Sequence, residues 1–164
     1  LGCGTGARHD TKPAPFEPIE EYLESIRLFE EEGNDVARVS QIAKHFRIKQ
    51  PSVVQMLKRL HSAGYVRYVE KEGVRLTWKG RAAADRIIRN HRLMEVFFRK
   101  TLGTDVDEEM LCGIEHHVRE RFADSLCGWL NHPTHCPHGR RIPAGKCCGD
   151  ARSLPTLVAS RRSS

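Results

Sequence analysis

The amino-acid sequence predicts a mainly α-helical chain in which a winged helix-turn-helix unit is followed by a second helical unit. Three observations carry that reading. Two short segments with helical periodicity flank a three-residue turn at 47–49. An alternating segment folded about 71–73 comes next, and from Thr77 onward the apolar period returns to that of a helix. The expected organisation is a disordered leader over 1–15, a winged helix-turn-helix domain over 16–80, a helical domain over 81–145 and a disordered tail over 146–164.

The first helix is PIEEYLESIRLFEEEG, 18–33, where Ile19, Leu23, Ile26, Leu28 and Phe29 form an apolar stripe and Gly33 ends the pattern. Glu21 and Glu24 stand three apart on one side of it. They read either as solvated acids near a helix N-terminus, where the dipole favours them, or as a pair of donors. Ser40 opens a short helix through Phe46, as N-cap or first-turn residue. After the turn at Arg47–Lys49, Gln50 and Pro51 start a second helix, since proline is tolerated in a first turn. That helix turns Val53, Val54, Leu57 and Leu60 inward and stops at Gly64. Two short helices across such a turn make a helix-turn-helix.

The alternation of YVRYVEKEGVRLT, 65–77, predicts a two-stranded hairpin, the wing. Helix-turn-helix plus wing predicts DNA binding, with the second helix in the major groove offering Gln50, Ser52, Gln55, Lys58 and Arg59. Ser52 and Gln55 are assigned to base edges. Lys58 and Arg59, with Lys49, Arg67 and Lys71, are assigned to phosphates.

A long helix follows from Thr77, TWKGRAAADRIIRNHRLMEVFFRKTLG, with a break expected near Asn90–His91. Its later apolar face, Leu93, Val96, Phe97 and Leu102, is assigned to a homodimer interface, because helix-turn-helix proteins read two half-sites as two-fold dimers. DVDEEMLCGIEHHVRERFADSLCGWLN is a further helix or helix pair, with Val118, Phe122, Leu126, Trp129 and Leu130 apolar.

Chemistry concentrates in CGIEHH, 112–117. Residues three and four apart share a helix face, so Cys112, Glu115 and His116 point one way and His117 another. A thiolate, a carboxylate and an imidazole on one face are ligands for a divalent transition metal. The tail HPTHCPHGRRIPAGKCC, 132–148, adds a second group of donors: Cys127, His132, His135, Cys136, His138, Cys147 and Cys148. That group reads as a zinc clip, a redox-sensitive cluster or a plain closing loop.

Composition bounds these readings. The chain has 164 residues, enough for one domain or two small ones sharing a core. Its 27 Lys and Arg against 21 Asp and Glu leave a formal charge of +6, a mild excess consistent with a polyanionic partner. No apolar run approaches the ~20 residues of a membrane span, and the start has no signal-peptide core. A cytoplasmic location is therefore expected. Disulfides are disfavoured there, so the six cysteines read as metal ligands or free thiols.

EEYLESI, LTWKGRAAADRIIRNHRLMEVFF and CGIEHH occur in an order and spacing that resembles the diphtheria-toxin-repressor family of metal-dependent transcription regulators, over residues 18 to 143. The resemblance implies metal ligands at Glu21, Glu24, His91, Cys112, Glu115 and His116, with Glu95 as an ancillary ligand. Glu21 stands where the iron-responsive branch often has Met and the manganese-responsive branch Asp. Cys112 matches the iron branch, where the manganese branch has Glu. The ligand set is thus a hybrid. There is no room after residue 143 for the SH3-like third domain of iron-branch members, so the short, two-domain form is expected.

Three function classes follow. A metal-activated DNA-binding repressor of metal-homeostasis genes leads, with Fe²⁺ as cofactor, Mn²⁺ as the alternative, and Zn²⁺, Co²⁺ or Ni²⁺ compatible by geometry. A winged-helix regulator sensing redox state or carrying an iron–sulfur cluster at the late cysteines is second. A metalloenzyme fits worst, because the sequence supplies no HExxH spacing and the helix-turn-helix would be left unexplained.

Overall fold

The computed structural model describes residues 17–103 and 108–149. The leader, residues 104–107 and the tail beyond 149 lie outside them, and with them the expectations of disorder at both ends.

Helix α1 runs Glu17–Glu31, α2 Val39–Phe46 and α3 Gln50–Ser62. The α2–α3 turn is made at Arg47, which takes a left-handed conformation (φ 53°). Gln41 closes the start of α2 by accepting the backbone N–H of Arg38 at 2.8 Å. Strands β1 (Val66–Val69) and β2 (Gly73–Leu76) pair antiparallel with Val66 opposite Leu76, forming the wing. Leu23, Ile26, Ile42, Val53, Leu57, Leu60, Val66 and Val74 are buried together as the core of this half.

Helix α4, Trp78–Phe97, is continuous. The break expected near Asn90–His91 does not occur; the irregularity is a π-helical turn at Phe98–Leu102. Asn90 is there for another reason. Its side-chain amide donates to the carbonyls of Glu115 and Val118, both at 3.0 Å, and so holds the end of the next helix against α4. Thr77 caps α4 by accepting the Gly80 N–H at 3.1 Å. Gly80 is glycine because a Cβ there would meet the Tyr65 carbonyl at 2.0 Å.

Helices α5 (Glu108–Glu115) and α6 (Glu120–Trp129) complete the second half, with a 3₁₀ turn at Lys146–Cys148. Leu93, Val96, Leu111, Val118, Ala123, Cys127, Leu130, Cys136 and Ile142 form its core. This corrects the assignment of Leu93 and Val96 to a dimer interface: α5 and α6 cover them within the chain. Among the described residues, the large apolar side chains left exposed from α4 onward include Trp78, Leu102, Met110, Ile114, Phe122 and Trp129. No helix among the described residues is long and apolar enough to cross a membrane.

A row of ion pairs fixes α1 on α4: Glu30 with Arg81, Arg27 with Asp85, Glu20 with Arg86 and Glu31 with Arg92. These set the rotation of α1 about its own axis, and thereby which of its acids face α5.

Candidate metal centre and DNA face

The donors meet where α1, α4 and α5 touch. Glu24 of α1, His91 of α4 and Glu115 of α5 each offer an atom within 4.8 Å of the others, as do Cys112 and Glu115 of α5 with His116 in the turn just after it. Glu115 belongs to both sets and is fully buried. Its carboxylate lies 2.5 Å from His91 Nδ1 and 3.6 Å from His116 Nε2.

His116 is held as a ligand would be. Its Nδ1 faces Glu20 Oε2 at 2.8 Å, while its Nε2 is buried with no hydrogen-bond partner. A carboxylate on one ring nitrogen, with the other turned toward a cluster of donors, is how a metal-binding imidazole is oriented. An unpartnered buried nitrogen otherwise costs about 1–3 kcal/mol. The residues present therefore fit a divalent cation.

The electrostatics agree. Burial pushes the Glu24 carboxyl up to about 8, helped by the neighbouring Glu115 and Glu21 and opposed by His91 and His116. Burial works against charge on His91, but its hydrogen bonds to Glu115 and Glu95 outweigh that and raise it to about 10. His116 is likewise raised, burial being overcome by Glu20 and Glu115. Protons thus occupy the places that a cation would take.

Glu21 falls in none of the four donor groups among the described residues, although it is near enough to Glu24 to oppose its ionisation. Glu20, which the sequence reading passed over, holds the imidazole instead. The signal was present, since Glu20 and Glu24 are four apart and share a helix face. Cys112 departs from the expectation that the cysteines are metal ligands or free thiols: its sulfur is held in a disulfide, so it can join Glu115 and His116 as a ligand only once reduced. Cys127, Cys136, Cys147 and Cys148 are free thiols.

The late donors separate into two groups. Glu95, Cys136 and His138 converge, with His138 Nδ1 2.9 Å from Glu95 Oε1. Glu95 Oε2 is buried without a partner, and His91 Nε2 lies 3.6 Å from Oε1. Burial disfavours the Glu95 charge, yet hydrogen bonds from His91 and Cys136 hold the carboxyl down at about 2. Cys127, His132, Cys147 and Cys148 form the other group. His135 joins neither; it is exposed, with Nδ1 3.0 Å from Thr134 Oγ1.

In the winged half, Lys49 at the start of α3 and Gln50, Ser52, Gln55, Lys58 and Arg59 along it are all exposed, as are Arg67 and Lys71 on the wing. Arg75, also exposed, stands opposite Arg67 in the strand register and adds a cation that the sequence reading omitted.

Comparison with known proteins bears on both halves. Residues 16–74 match the family model described as iron dependent repressor, N-terminal DNA binding domain. Residues 77–144 match iron dependent repressor, metal binding and dimerisation domain. The chain belongs to the diphtheria-toxin-repressor family. That is a family of metal-dependent DNA-binding transcriptional regulators and not of enzymes, which removes the metalloenzyme reading. The chain is 39% identical over 113 residues to the HTH-type transcriptional regulator MntR of Bacillus subtilis, covering 66% of this chain and 76% of that one. It is 35% identical over 126 residues to the iron-dependent repressor IdeR of Mycobacterium leprae, covering 76% of this chain and 54% of that one. The solved manganese regulator SloR superposes with a TM-score of 0.64 at 34% identity, over 77% of this chain and 59% of that one. The chain thus spans little more than half the length of the last two.

Proposed function

We propose that this chain is a homodimeric repressor that binds operator DNA when Fe²⁺ occupies the site between α1, α4 and α5. The observation that carries the reading is His116: one ring nitrogen held by Glu20, the other buried, unpartnered and beside Glu115. Glu20 orients the ring and leaves a buried nitrogen for a metal to take.

When bound, a divalent cation supplies charge that replaces the protons on this cluster and draws its donors to one point. Glu24 is on the helix that packs into the core of the winged half, whereas Cys112 and Glu115 sit on α5 of the other half and His116 directly follows it. Ligation by both sides fixes the angle between them. The exposed residues of α3 and the wing then take one spacing across a two-fold dimer, and operator half-sites demand such a spacing. Leu102, Phe122 and Trp129 supply the apolar surface for that dimer. Metal shifts the equilibrium only by its differential affinity for this arrangement.

Iron is favoured by sulfur in the donor set, at Cys112 and at Cys136 beside Glu95. A manganese reading has its own support, the disulfide at Cys112. Without that thiolate the central donors are carboxylates and imidazoles, a harder set that suits Mn²⁺. The discriminating experiment is an anaerobic mobility shift on DNA enriched from random duplexes, with chelator and with Fe²⁺, Mn²⁺, Zn²⁺ or Co²⁺. Half-maximal retention at the lowest concentration of Fe²⁺ is expected. Retention that ignores chelator would sink the whole reading, and a lower requirement for Mn²⁺ would replace iron by manganese.

A further inference from the structure

Apart from the donors around Glu115, three thiols and an imidazole close on one point. Cys127 is the buried sulfur near the end of α6. The chain leaves that helix through two consecutive left-handed residues, Asn131 (φ 61°) and His132 (φ 49°). Such backbone is costly for residues other than glycine. Here it folds the chain back, so that the His132 N–H donates to the Cys127 carbonyl at 2.8 Å and the ring comes over the sulfur.

From the other side comes the 3₁₀ turn Lys146–Cys148, which presents two successive sulfurs. It reaches α4 and α6 because residue 145 is glycine. A Cβ at Gly145 would fall 2.4 Å from the Arg89 guanidinium and 2.6 Å from Asp124 Oδ1.

The distances identify the occupant. A zinc ion bound tetrahedrally, with Zn–S about 2.3 Å and Zn–N about 2.0–2.1 Å, sets its sulfurs about 3.8 Å apart and each sulfur about 3.6 Å from the nitrogen. Here Cys127 Sγ is 3.7 Å from Cys148 Sγ, and Cys147 Sγ is 3.8 Å from Cys148 Sγ. His132 Nδ1 is 3.6 Å from Cys127 Sγ and 3.8 Å from Cys148 Sγ. Four edges of the group thus have the lengths of that tetrahedron. A disulfide would bring two sulfurs to about 2.05 Å, and an iron–sulfur cluster puts several atoms between its ligands and would spread them wider. Arg89, itself nearly buried, donates to Cys147 Sγ at 3.2 Å and to Asp124 at 2.8 Å, the kind of outer hydrogen bond that orients a thiolate ligand.

We infer that Cys127, His132, Cys147 and Cys148 form a closed, structural Cys₃His site for one zinc ion, separate from the regulatory site, that staples the 143–149 segment onto α6 and α4. Three thiols lose their protons on binding, and the imidazole binds neutral. The ion needs no open coordination position and undergoes no exchange in the regulatory cycle.

The test uses the full chain, reduced, in a Cys112→Ser and Cys136→Ser background, so that neither the sulfur beside Glu115 nor the one beside Glu95 contributes. Cobalt alone is added to the metal-depleted protein. The expected spectrum has thiolate-to-cobalt charge transfer in the near ultraviolet with intense tetrahedral d–d bands, saturating at one equivalent and abolished by one equivalent of zinc. Adding Glu115→Gln and His116→Ala should leave that spectrum in place. Cys148→Ser, at an exposed position, should lower the charge-transfer intensity by about a third or more, one of three thiolates being gone. Cys127→Ser should do the same if it folds. Absence of charge transfer in the parent, an undiminished spectrum in Cys148→Ser, or loss of the spectrum with Glu115→Gln and His116→Ala would each overturn the assignment. Because the readout involves no DNA, it stands or falls independently of the repressor reading.

Discussion

Two clusters in the second half gather metal donors in opposite ways. Around Glu115 the donors come from α1, α4 and α5, from residue 24 to residue 116, and they are mostly oxygen and nitrogen. Around Cys127 they come from residues 127–148 and are mostly sulfur. The first cluster is held in the metal-free state by its own ion pairs, His91 with Glu115 and His116 with Glu20. The second has thiol–thiol and thiol–imidazole contacts and one guanidinium, and no carboxylate–imidazole pair among its donors. A site meant to respond must have a stable unloaded state with which the metal competes. A site meant to hold needs nothing to fall back on. Separation along the chain has the same sense, since ligands drawn from both halves couple occupancy to their relative position, while ligands within one segment only brace it.

The sharpest way to break this contrast is to disarm the responsive cluster. Glu115→Gln combined with His116→Ala should eliminate metal-dependent retention of operator DNA, raising the metal concentration for half-maximal binding by on the order of a hundredfold or more. Zinc content at the cysteine site, measured by mass spectrometry under native conditions, should be unchanged. A double variant that still answers to metal would mean that the switch lies elsewhere.

Proton competition gives the next largest effect. Below pH 8 the metal-free protein carries a proton on Glu24, raised to about 8, and one on His91, raised to about 10. Both must leave when a cation binds. Affinity should therefore climb with pH by about two decades per unit below pH 8, more steeply where the raised His116 is also protonated, and by about one decade per unit from these two groups between 8 and 10. Isothermal titration in buffers of different ionisation enthalpy counts the protons directly. Release of none at pH 7 would show that the cluster is not the binding site.

Much of this arrangement could be read from one dimension. The recognition helix, its exposed Ser52 and Gln55 and the wing followed from periodicity, because a winged unit has a polar outside and a single core. Local donor sets were equally accessible: Cys112, Glu115 and His116 share a face by the 3.6-residue period, and His91 and Glu95 are four apart. The hidden parts depend on contacts between distant segments. Which of Glu20, Glu21 and Glu24 face α5 is decided by ion pairs from α1 to Arg81, Asp85, Arg86 and Arg92, some fifty or more residues away. Leu93 and Val96 looked like an interface because the helices covering them come later in the chain. Seven late donors within a short stretch could not be sorted by spacing. Left-handed backbone at Asn131 and His132 and the close approach at Gly145 do the sorting.

A more modest effect is expected from the residue that the sequence reading missed. Glu20→Gln keeps an oxygen near His116 Nδ1 but removes the charge that orients and polarises the ring. Metal affinity should fall by about tenfold, the lower end of what an outer-sphere carboxylate contributes. The cobalt–thiolate spectrum of the cysteine site should not move. Equal affinity in the variant would reduce Glu20 to a partner of Arg86, to which it is also paired.

The smallest shift concerns identity rather than strength, and it bears on whether the responsive cluster is as purely oxygen and nitrogen as its contrast with the cysteine site suggests. Among the described residues, Cys112 is the sulfur grouped with Glu115 and His116. Being held in a disulfide, it contributes only under reducing conditions. Cys112→Glu replaces a soft donor by a hard one and should move the activation preference toward Mn²⁺ by a few-fold, on the order of 1 kcal/mol. Cys112→Ala should weaken activation by Fe²⁺ and Co²⁺ more than by Mn²⁺, which gains little from thiolate. Half-maximal metal concentrations for operator binding, measured anaerobically for each metal with reductant present, decide the matter. If Cys112→Ala matches the parent for every metal, the sulfur is no ligand, the cluster is an oxygen–nitrogen site throughout, and manganese becomes the better reading of the signal.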